Sequence, residues 1–153
     1  MPALPHKIEG TFVSELAEYL IQLDHVGIAV SDLNTAIEFY QGTLGMVPIH
    51  QEENLEQQVV EVMLQPPGGG ALIQLLAPLT SESEIAKFLD RNGVGVQQIA
   101  YRVSDVTAAC AAARAAGIRV IYPNAKRGTN DSLINFLHPK DCGGVLIELV
   151  QVN

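Results

Sequence analysis

The fold is decided by residues 23–32, LDHVGIAVSD, which return in altered form at residues 96–105 as VQQIAYRVSD. A constant offset of 73 residues relates the two stretches, leading from His25 to Gln98 and from Asp32 to Asp105. Because one offset holds over a whole β-rich segment and the turn after it, the chain reads as two copies of one unit. The second copy carries Gln98 where the first carries His25, so the repeat predicts a site that the two halves share.

The composition is that of a globular protein with a sizeable core. The chain has 153 residues, 48% of them hydrophobic, which suits one ordinary domain. Its net charge of −8 argues against nucleic-acid binding, since phosphate binding needs a clustered basic surface. No apolar run approaches the ~20 residues of a membrane span, and residues 1–10 lack a signal-peptide pattern. We therefore expect a cytoplasmic protein with no membrane partner, in which Cys110 and Cys142 are free thiols.

Hydrophobic periodicity and turn residues divide the chain into an extension, residues 1–20, and two similar halves, about residues 21–80 and 94–153. Each half is predicted to run strand, helix and three further strands, an α+β arrangement of two βαβββ modules. The predicted helices are Leu33–Leu44, Ser83–Leu89 and Val106–Ala116, with a short helix possible at Ser14–Ile21. The predicted strands are Ile21–Val30, Val47–Gln51, Gln57–Leu64, Ala71–Ala77, Val96–Val103, Arg119–Tyr122, Leu133–His138 and Val145–Val150.

A polar residue interrupts the closing strand of each half. Gln74 and Glu148 stand inside otherwise apolar segments, 74 residues apart, and a buried polar side chain requires a partner. Pseudo-twofold symmetry would bring them together with His25 and Gln98. Imidazole, amide and carboxylate groups can all bind a divalent first-row metal. Each residue taken alone is better explained as a hydrogen-bonded core residue, but the symmetry of the set favours a site.

Five segments carry a resemblance to a known family. They are LDHVGIAV at residues 23–30, the acidic stretch at residues 52–61, QLLAPL at residues 74–79, IAKFL at residues 85–89 and FLHPKDCGGVLIEL at residues 136–149. On these segments the chain resembles the vicinal oxygen chelate superfamily, which has the glyoxalase fold, and within it the methylmalonyl-CoA epimerases. The last segment is the most specific of the five.

The resemblance implies a single domain, residues 21–153, whose two modules form an incomplete eight-stranded barrel. It also implies an enzyme that interconverts (2R)- and (2S)-methylmalonyl-CoA with the help of a divalent metal such as cobalt, manganese, zinc or nickel. Carried over position by position, the metal ligands are His25, Gln74, Gln98 and Glu148, and the family's first-half base is Glu61.

Elementary chemistry supports this assignment. An α-proton beside a thioester is too weakly acidic for a free carboxylate, so the site must stabilise an enolate, which a metal on the thioester oxygen would do. Inversion then requires one base on each face of the enolate, and Glu61 and Glu148 would supply them from opposite halves. The alternation around Glu61 also fits a solvated residue on an edge strand.

The chain departs from the family at two places. The family usually has two histidines where this chain has Gln97 and Gln98, and the second of them is the metal ligand. An amide oxygen is a weaker donor than imidazole to cobalt, zinc or nickel and suits manganese or magnesium better, so we expect metal binding to be weak, or absent if Gln98 does not ligate. Asn130 and Asp131 stand where the epimerases tend to have a glycine-rich stretch, so the acyl group could differ from methylmalonyl.

Lys126, Arg127 and Lys140 form the only basic cluster near the predicted mouth of the site. With Asn130 they are the predicted substrate-binding residues, although such cations are often ordinary solvated surface. The resemblance favours a homodimer with an acyl-CoA substrate. Two other functions stay open: another enzyme of the superfamily, such as a lyase, isomerase or cyclase in which Gln98 hydrogen-bonds the substrate, and a non-catalytic ligand-binding protein.

Overall fold

The computed structural model describes residues 13–153, which form an eight-stranded mixed sheet that curls into a half-barrel. Along the sheet the strands follow the order β2-β3-β4-β1-β5-β8-β7-β6. Their bounds are β1 (Leu20–Ala29), β2 (Val47–Asn54), β3 (Val59–Gln65), β4 (Leu72–Pro78), β5 (Gly95–Val103), β6 (Lys126–Arg127), β7 (Leu133–Leu137) and β8 (Ile147–Gln151).

The strand order is symmetrical about the central pair of strands. β1 and β5 are antiparallel to each other, whereas β1 pairs in parallel with β4 and β5 pairs in parallel with β8. Each half therefore contributes four neighbouring strands in the same topology. The predicted α+β fold of two βαβββ modules is confirmed.

Residues 13–153 contain three α-helices. α1 (Leu33–Glu38) and α3 (Val106–Ala115) each belong to one module, and α2 (Glu84–Asn92) connects the two modules. The predicted caps are present, since Asp32 accepts a hydrogen bond from the Thr35 amide at 3.2 Å and Asp105 accepts one from Ala108 at 3.0 Å. α1 is shorter than predicted because its last turns widen into a π-helical segment, Phe39–Thr43. Gly45 then ends the segment at a φ of +69°.

The pleat of the strands separates a helix-covered face from a face that carries polar residues. On β4, Leu75 and Ala77 pack in the cluster beneath α1, while the alternating residues Gln74 and Leu76 point to the other face. On β8, Leu149 packs in the cluster beneath α3, while its neighbour Glu148 points away from that helix. The helices α1 and α3 thus cover one apolar face of the sheet, and Gln74 and Glu148 lie on the inside of the curl among apolar residues such as Leu76.

Two of the predicted elements are wrong. Arg119–Tyr122 is not a strand but makes a single bridge, Val120 to Leu137, and the strand that pairs with β7 is β6. The reason is that the Arg119 amide donates to the side chain of Asp141 and the Tyr122 amide to the side chain of Asn135, which replaces ladder hydrogen bonds. The helix expected over Ser14–Ile21 is only a 3₁₀ turn, Glu15–Glu18, and Ser14 makes no side-chain cap.

The predicted N-terminal extension covers residues 1–20, and of these, residues 1–12 lie outside the described residues. The division of the chain at residue 21 therefore stays a prediction. Within residues 13–153, Cys110 and Cys142 are both free, as expected. None of the helices in that range has the length and apolar character needed to cross a membrane.

Candidate active site

Strand register brings the four predicted ligand positions together at the centre of the sheet. Gly27 on β1 lies opposite Gln98 on β5 and beside Gln74 on β4. Its counterpart in the second half, Ala100, lies opposite His25 and beside Glu148 on β8. The small residues Gly27 and Ala100 thus lie between the larger polar ones, and the symmetry predicted from the repeat is present in the sheet.

The four side chains form one hydrogen-bonded cluster that is almost closed to solvent. Gln98 donates through Nε2 to Glu148 Oε2 at 2.6 Å and to Gln74 Oε1 at 3.1 Å. His25 Nε2 lies 3.1 Å from the same Glu148 oxygen. All four residues are at most 6% exposed. The arrangement meets the requirement that buried polar groups have partners.

Gly27 is required by the close approach of Gln98. A Cβ at position 27 would lie 2.8 Å from both Cγ and Cδ of Gln98, well inside van der Waals contact. Any larger residue there would displace the amide from Glu148 and Gln74. The glycine in the repeated segment therefore has a direct role in positioning the second-half side chain.

His25 is held between two carboxylates. Asp24 accepts a hydrogen bond from His25 Nδ1 at 2.7 Å and also binds the Arg102 guanidinium at 2.7 Å, which fixes the ring and directs Nε2 toward Glu148. Burial by itself lowers the pKa of His25, but the charges and hydrogen bonds of Glu148 and Asp24 outweigh burial and raise the pKa to about 10. Asp24 has a pKa below its ordinary value, because its bonds to His25 and Arg102 outweigh the effect of burial, which raises it.

Glu61, the predicted second base, lies on β3 and joins the cluster from the first half. Its Oε2 accepts a hydrogen bond from Gln74 Nε2 at 2.9 Å, and its Oε1 accepts one from the Thr129 hydroxyl. Burial and the neighbouring Glu52 together raise the pKa of Glu61 to about 8, against the Thr129 hydrogen bond, which lowers it. Since Glu61 is 3% exposed, the alternative of a solvated edge-strand residue is wrong.

The cluster forms part of the wall of a cavity of about 290 Å³. Glu61, Gln74, Gln98 and Glu148 all line this cavity, together with apolar residues of β3, β4 and β7. His25 lies behind them, in contact with Glu148. A partly apolar cavity whose wall carries these two buried carboxyl groups and these amides can enclose a small polar acyl group.

The donor set fits a divalent cation. His25 presents Nε2 while its Nδ1 is held by a carboxylate, which is the usual arrangement of a metal-ligating histidine. Glu148 and the amides of Gln74 and Gln98 supply oxygens, once a half-turn of the Gln98 amide exchanges its nitrogen and oxygen. Within residues 13–153 no group of three His, Cys, Asp or Glu side chains is placed to hold a metal, so the amides must complete the set.

The four predicted substrate-binding residues lie outside the cavity wall. Lys126 lies over the Tyr122 ring, 4.2 Å from its centroid, and Arg127 pairs with Asp131 at 2.6 Å. Asn130 donates its backbone amide to Glu52 at 3.2 Å, and Lys140 is exposed on the turn after β7. Their role in binding stays a prediction.

Sequence reasoning missed three residues of this site. Asp24 orients His25, Thr129 bonds both Glu61 and Gln74, and Glu52 lies opposite Glu61 across β2 and β3. The sequence could have indicated Asp24, since this residue directly precedes His25 in the repeated segment. Thr129 had none, because its contact with β3 depends on a loop conformation.

Comparisons with known proteins agree with this geometry. The Glyoxalase/Bleomycin resistance protein/Dioxygenase superfamily model matches residues 24–136, more than half of the chain. The ethylmalonyl-CoA/methylmalonyl-CoA epimerase of Cereibacter sphaeroides is 38% identical over 133 residues, which cover 86% of this chain and 98% of that protein.

Two solved structures are similar throughout. Methylmalonyl-CoA epimerase from Mycobacterium tuberculosis is 52% identical with a TM-score of 0.86, and 94% of each chain is covered. A variant of Streptomyces coelicolor methylmalonyl-CoA epimerase in complex with 2-nitronate-propionyl-CoA is 46% identical with a TM-score of 0.82, covering 86% of this chain and 97% of that one. The resemblance predicted from the sequence motifs is confirmed, and these three relatives are named as epimerases, which are isomerases.

Proposed function

This chain belongs to the Glyoxalase/Bleomycin resistance protein/Dioxygenase superfamily, and we propose that it is an epimerase of an α-substituted acyl-CoA thioester, with methylmalonyl-CoA as its substrate. The observation that carries the proposal is the presence of one buried glutamate from each half, Glu61 and Glu148, on the wall of a single cavity. The names of the relatives at 38–52% identity support the same activity.

Glu61 and Glu148 are the proposed acid and base. They lie at opposite ends of a chain of hydrogen bonds that runs from Glu61 through Gln74 and Gln98 to Glu148. A planar enolate bound between them would present one face to each carboxyl group. One glutamate removes the α-proton while the other returns a proton from the opposite side, which inverts the carbon.

The thioester oxygen must be stabilised as the α-proton leaves. We propose that His25, Gln74, Gln98 and Glu148 hold a divalent metal, which when bound would act as a Lewis acid toward that oxygen. Asp24 keeps His25 Nε2 turned toward the cavity, and Gly27 leaves the space in which the Gln98 amide lies. Because this ligand set would consist of one imidazole, one carboxylate and two amides, manganese is a better candidate for the metal than zinc.

The substrate class follows from the size and polarity of the cavity. About 290 Å³ accommodates a short branched acyl group such as methylmalonyl or ethylmalonyl, and the name of the Cereibacter sphaeroides relative includes both. Lys126, Arg127, Asn130 and Lys140 remain the predicted contacts to the rest of the substrate, and the homodimer also stays a prediction.

The test is exchange of the α-proton with solvent. Purified protein is incubated in D2O with a single epimer of methylmalonyl-CoA, with and without manganese or cobalt, and deuterium at the α-carbon and inversion are followed by NMR and chiral analysis. We expect both to exceed a protein-free control in the presence of metal and to fall when a strong chelator is added.

Two results would contradict the proposal. Absence of exchange with every metal would exclude epimerisation of this thioester and favour a ligand-binding protein. Exchange that a chelator leaves unchanged would contradict the metal and favour the alternative in which Gln98 hydrogen-bonds the substrate directly.

A further inference from the structure

β5 carries a one-residue irregularity beside the site. Gln98 lies opposite Gly27 and Val96 lies opposite Ile28, so Gln97 has no partner on β1. In a regular strand Gln97 and Gln98 would point to opposite faces of the sheet, but both line the same cavity. The bulge therefore adds a second amide to the cavity wall.

Among the polar side chains that line the inner cavity, Gln97 alone makes no side-chain hydrogen bond within residues 13–153. Every other one makes at least one hydrogen bond within residues 13–153, for example the pair Gln57 and Tyr122. Gln97 Oε1 is buried, and no donor among the described residues reaches it. Because an unsatisfied buried acceptor is costly, it requires an explanation, and a ligand that donates a hydrogen bond is one.

Gln97 also lies where two cavities meet. A second, outer cavity of about 580 Å³ lies between α2 and the segment from Pro139 to Leu146. Four residues line both cavities: Gln97, Gln98, Leu146 and Glu84, whose carboxylate pairs with Lys87. A long ligand whose reacting end occupied the inner cavity could therefore continue into the outer one past Gln97.

The outer cavity also offers positive charge. Arg91 lines it, and Lys140 follows Pro139 of its wall. Neither side chain takes part in an ion pair within residues 13–153, in contrast to Arg127, which pairs with Asp131. Cations at the outer cavity that take part in no ion pair suit the phosphate groups of coenzyme A.

We infer that Gln97 binds the amide N–H nearest the thioester in the pantetheine arm, at the point where the arm passes from the inner cavity to the outer one. The inference rests on the proposed function. The malonyl-type acyl group offers only acceptors, its carboxylate and thioester oxygens, whereas the arm offers amide N–H donors. A rotation of the Gln97 amide about its last bond would present Oε1 to that donor and give the oxygen a partner.

The experiment compares Gln97→Met with wild type on two thioesters of the same acyl group. The N-acetylcysteamine thioester keeps the nearest amide, and an S-alkyl thioester of equal length lacks it. We expect Gln97→Met to lower kcat/KM by about 3- to 10-fold on the N-acetylcysteamine thioester and on the CoA thioester. The loss should appear mostly in KM, because one hydrogen bond is lost in the ground state and in the transition state alike. On the S-alkyl thioester the variant should equal wild type.

The matched control is Gln41→Met, which makes the same change at an exposed glutamine outside both cavities and should alter neither thioester. Gln97→Met should melt no lower than wild type, since it removes an unsatisfied oxygen. If it does not fold, Gln97→Asn, which withdraws the amide by one methylene group, replaces it in the same comparison.

Two outcomes are distinguishable. Equal loss on both thioesters, or no loss on either, would overturn the role of Gln97 while leaving epimerisation intact. Failure of wild type to exchange the α-proton of any thioester would instead remove the proposed function on which the inference rests.

Discussion

Replacing Gly27 by alanine should damage the site from the opposite strand without touching any of its polar groups. The added Cβ would lie 2.8 Å from Cγ and Cδ of Gln98, where carbon atoms ordinarily stay ~3.5–4.0 Å apart. Gln98 would therefore have to move by about 1 Å. That displacement breaks its hydrogen bonds of 2.6 Å to Glu148 and 3.1 Å to Gln74.

The expected cost follows from these distances. Overpacking of a buried site destabilises by about 1–3 kcal/mol, so the free energy of unfolding of Gly27→Ala, measured in urea, should fall by that amount. A misplacement of about 1 Å in a catalytic group can cost about 100-fold in rate, and we expect a loss of that order in α-proton exchange.

Two further variants isolate the cause. Gly42→Ala is the matched control, because a Cβ there meets no atom within 4 Å, and it should leave both exchange and stability at or above wild type. In the double variant Gly27→Ala/Gln98→Ala the clashing atoms are gone, so its loss of stability should be smaller than the sum of the single losses by about 1–3 kcal/mol. If Gly27→Ala exchanges and unfolds like wild type, or if the losses simply add, the close approach does not position Gln98.

Three other substitutions test separate parts of the site and fold. Gln98→His should raise affinity for cobalt or zinc by about 10- to 100-fold in calorimetry, and unchanged affinity would mean that position 98 is not a ligand. Asp24→Asn should lower the pKa of His25 in an NMR titration and cost about 1.5–3 kcal/mol, because a charged hydrogen bond is lost; an unshifted His25 would contradict it. Arg119 holds the pKa of Asp141 below its ordinary value of 3.8, so the stabilisation by this pair is present above pH 3.8 and is lost as the pH falls through the lower native pKa. The free energy of unfolding that Asp141→Asn loses relative to wild type, measured in urea, should therefore become smaller in acid. A loss that stays constant with pH would refute the linkage.

The repeat carries most of the information that the sequence holds about this fold. Equivalent residues of the two copies occupy equivalent positions in β1 and β5, and the caps Asp32 and Asp105 act at the same point of each module. Such features are local in sequence or fixed by symmetry. The polar residues Gln74 and Glu148 could be predicted to meet because a buried strand tolerates a polar residue only with a partner.

Other features depend on contacts that no local pattern records. Arg119–Tyr122 has strand-forming residues, yet the side chains of Asp141 and Asn135 take its amides, and those partners lie 13 or more positions away. Thr129 reaches Glu61 only through a loop in which Asn130 adopts a φ of +55°. Gln97 faces the cavity because of a bulge, whereas strict alternation would direct it to the other side of the sheet.

The raised pKa of Glu61 also follows from packing. The alternation around Glu61 also fits a solvated residue on an edge strand, but β3 lies between β2 and β4, and Glu52 lies directly opposite Glu61. Burial beside another carboxyl group raises the pKa of Glu61 to about 8. A group that can hold or release a proton near neutrality suits acid and base chemistry.

The central claim, that two glutamates act from opposite faces, is tested most directly by the stereochemistry of exchange in Glu61→Gln and Glu148→Gln. Each pure epimer of methylmalonyl-CoA is incubated in D2O with each variant at saturating manganese, because Glu148 is also a proposed metal ligand. Deuterium incorporation is measured by NMR before and after separation of the epimers. If each glutamate serves one face of the enolate, each variant exchanges the α-proton of only one epimer, and it does so with retention of configuration. The two variants then act on opposite epimers, and neither variant inverts the carbon. Exchange of the same epimer by both variants, or inversion by either one, would contradict the claim.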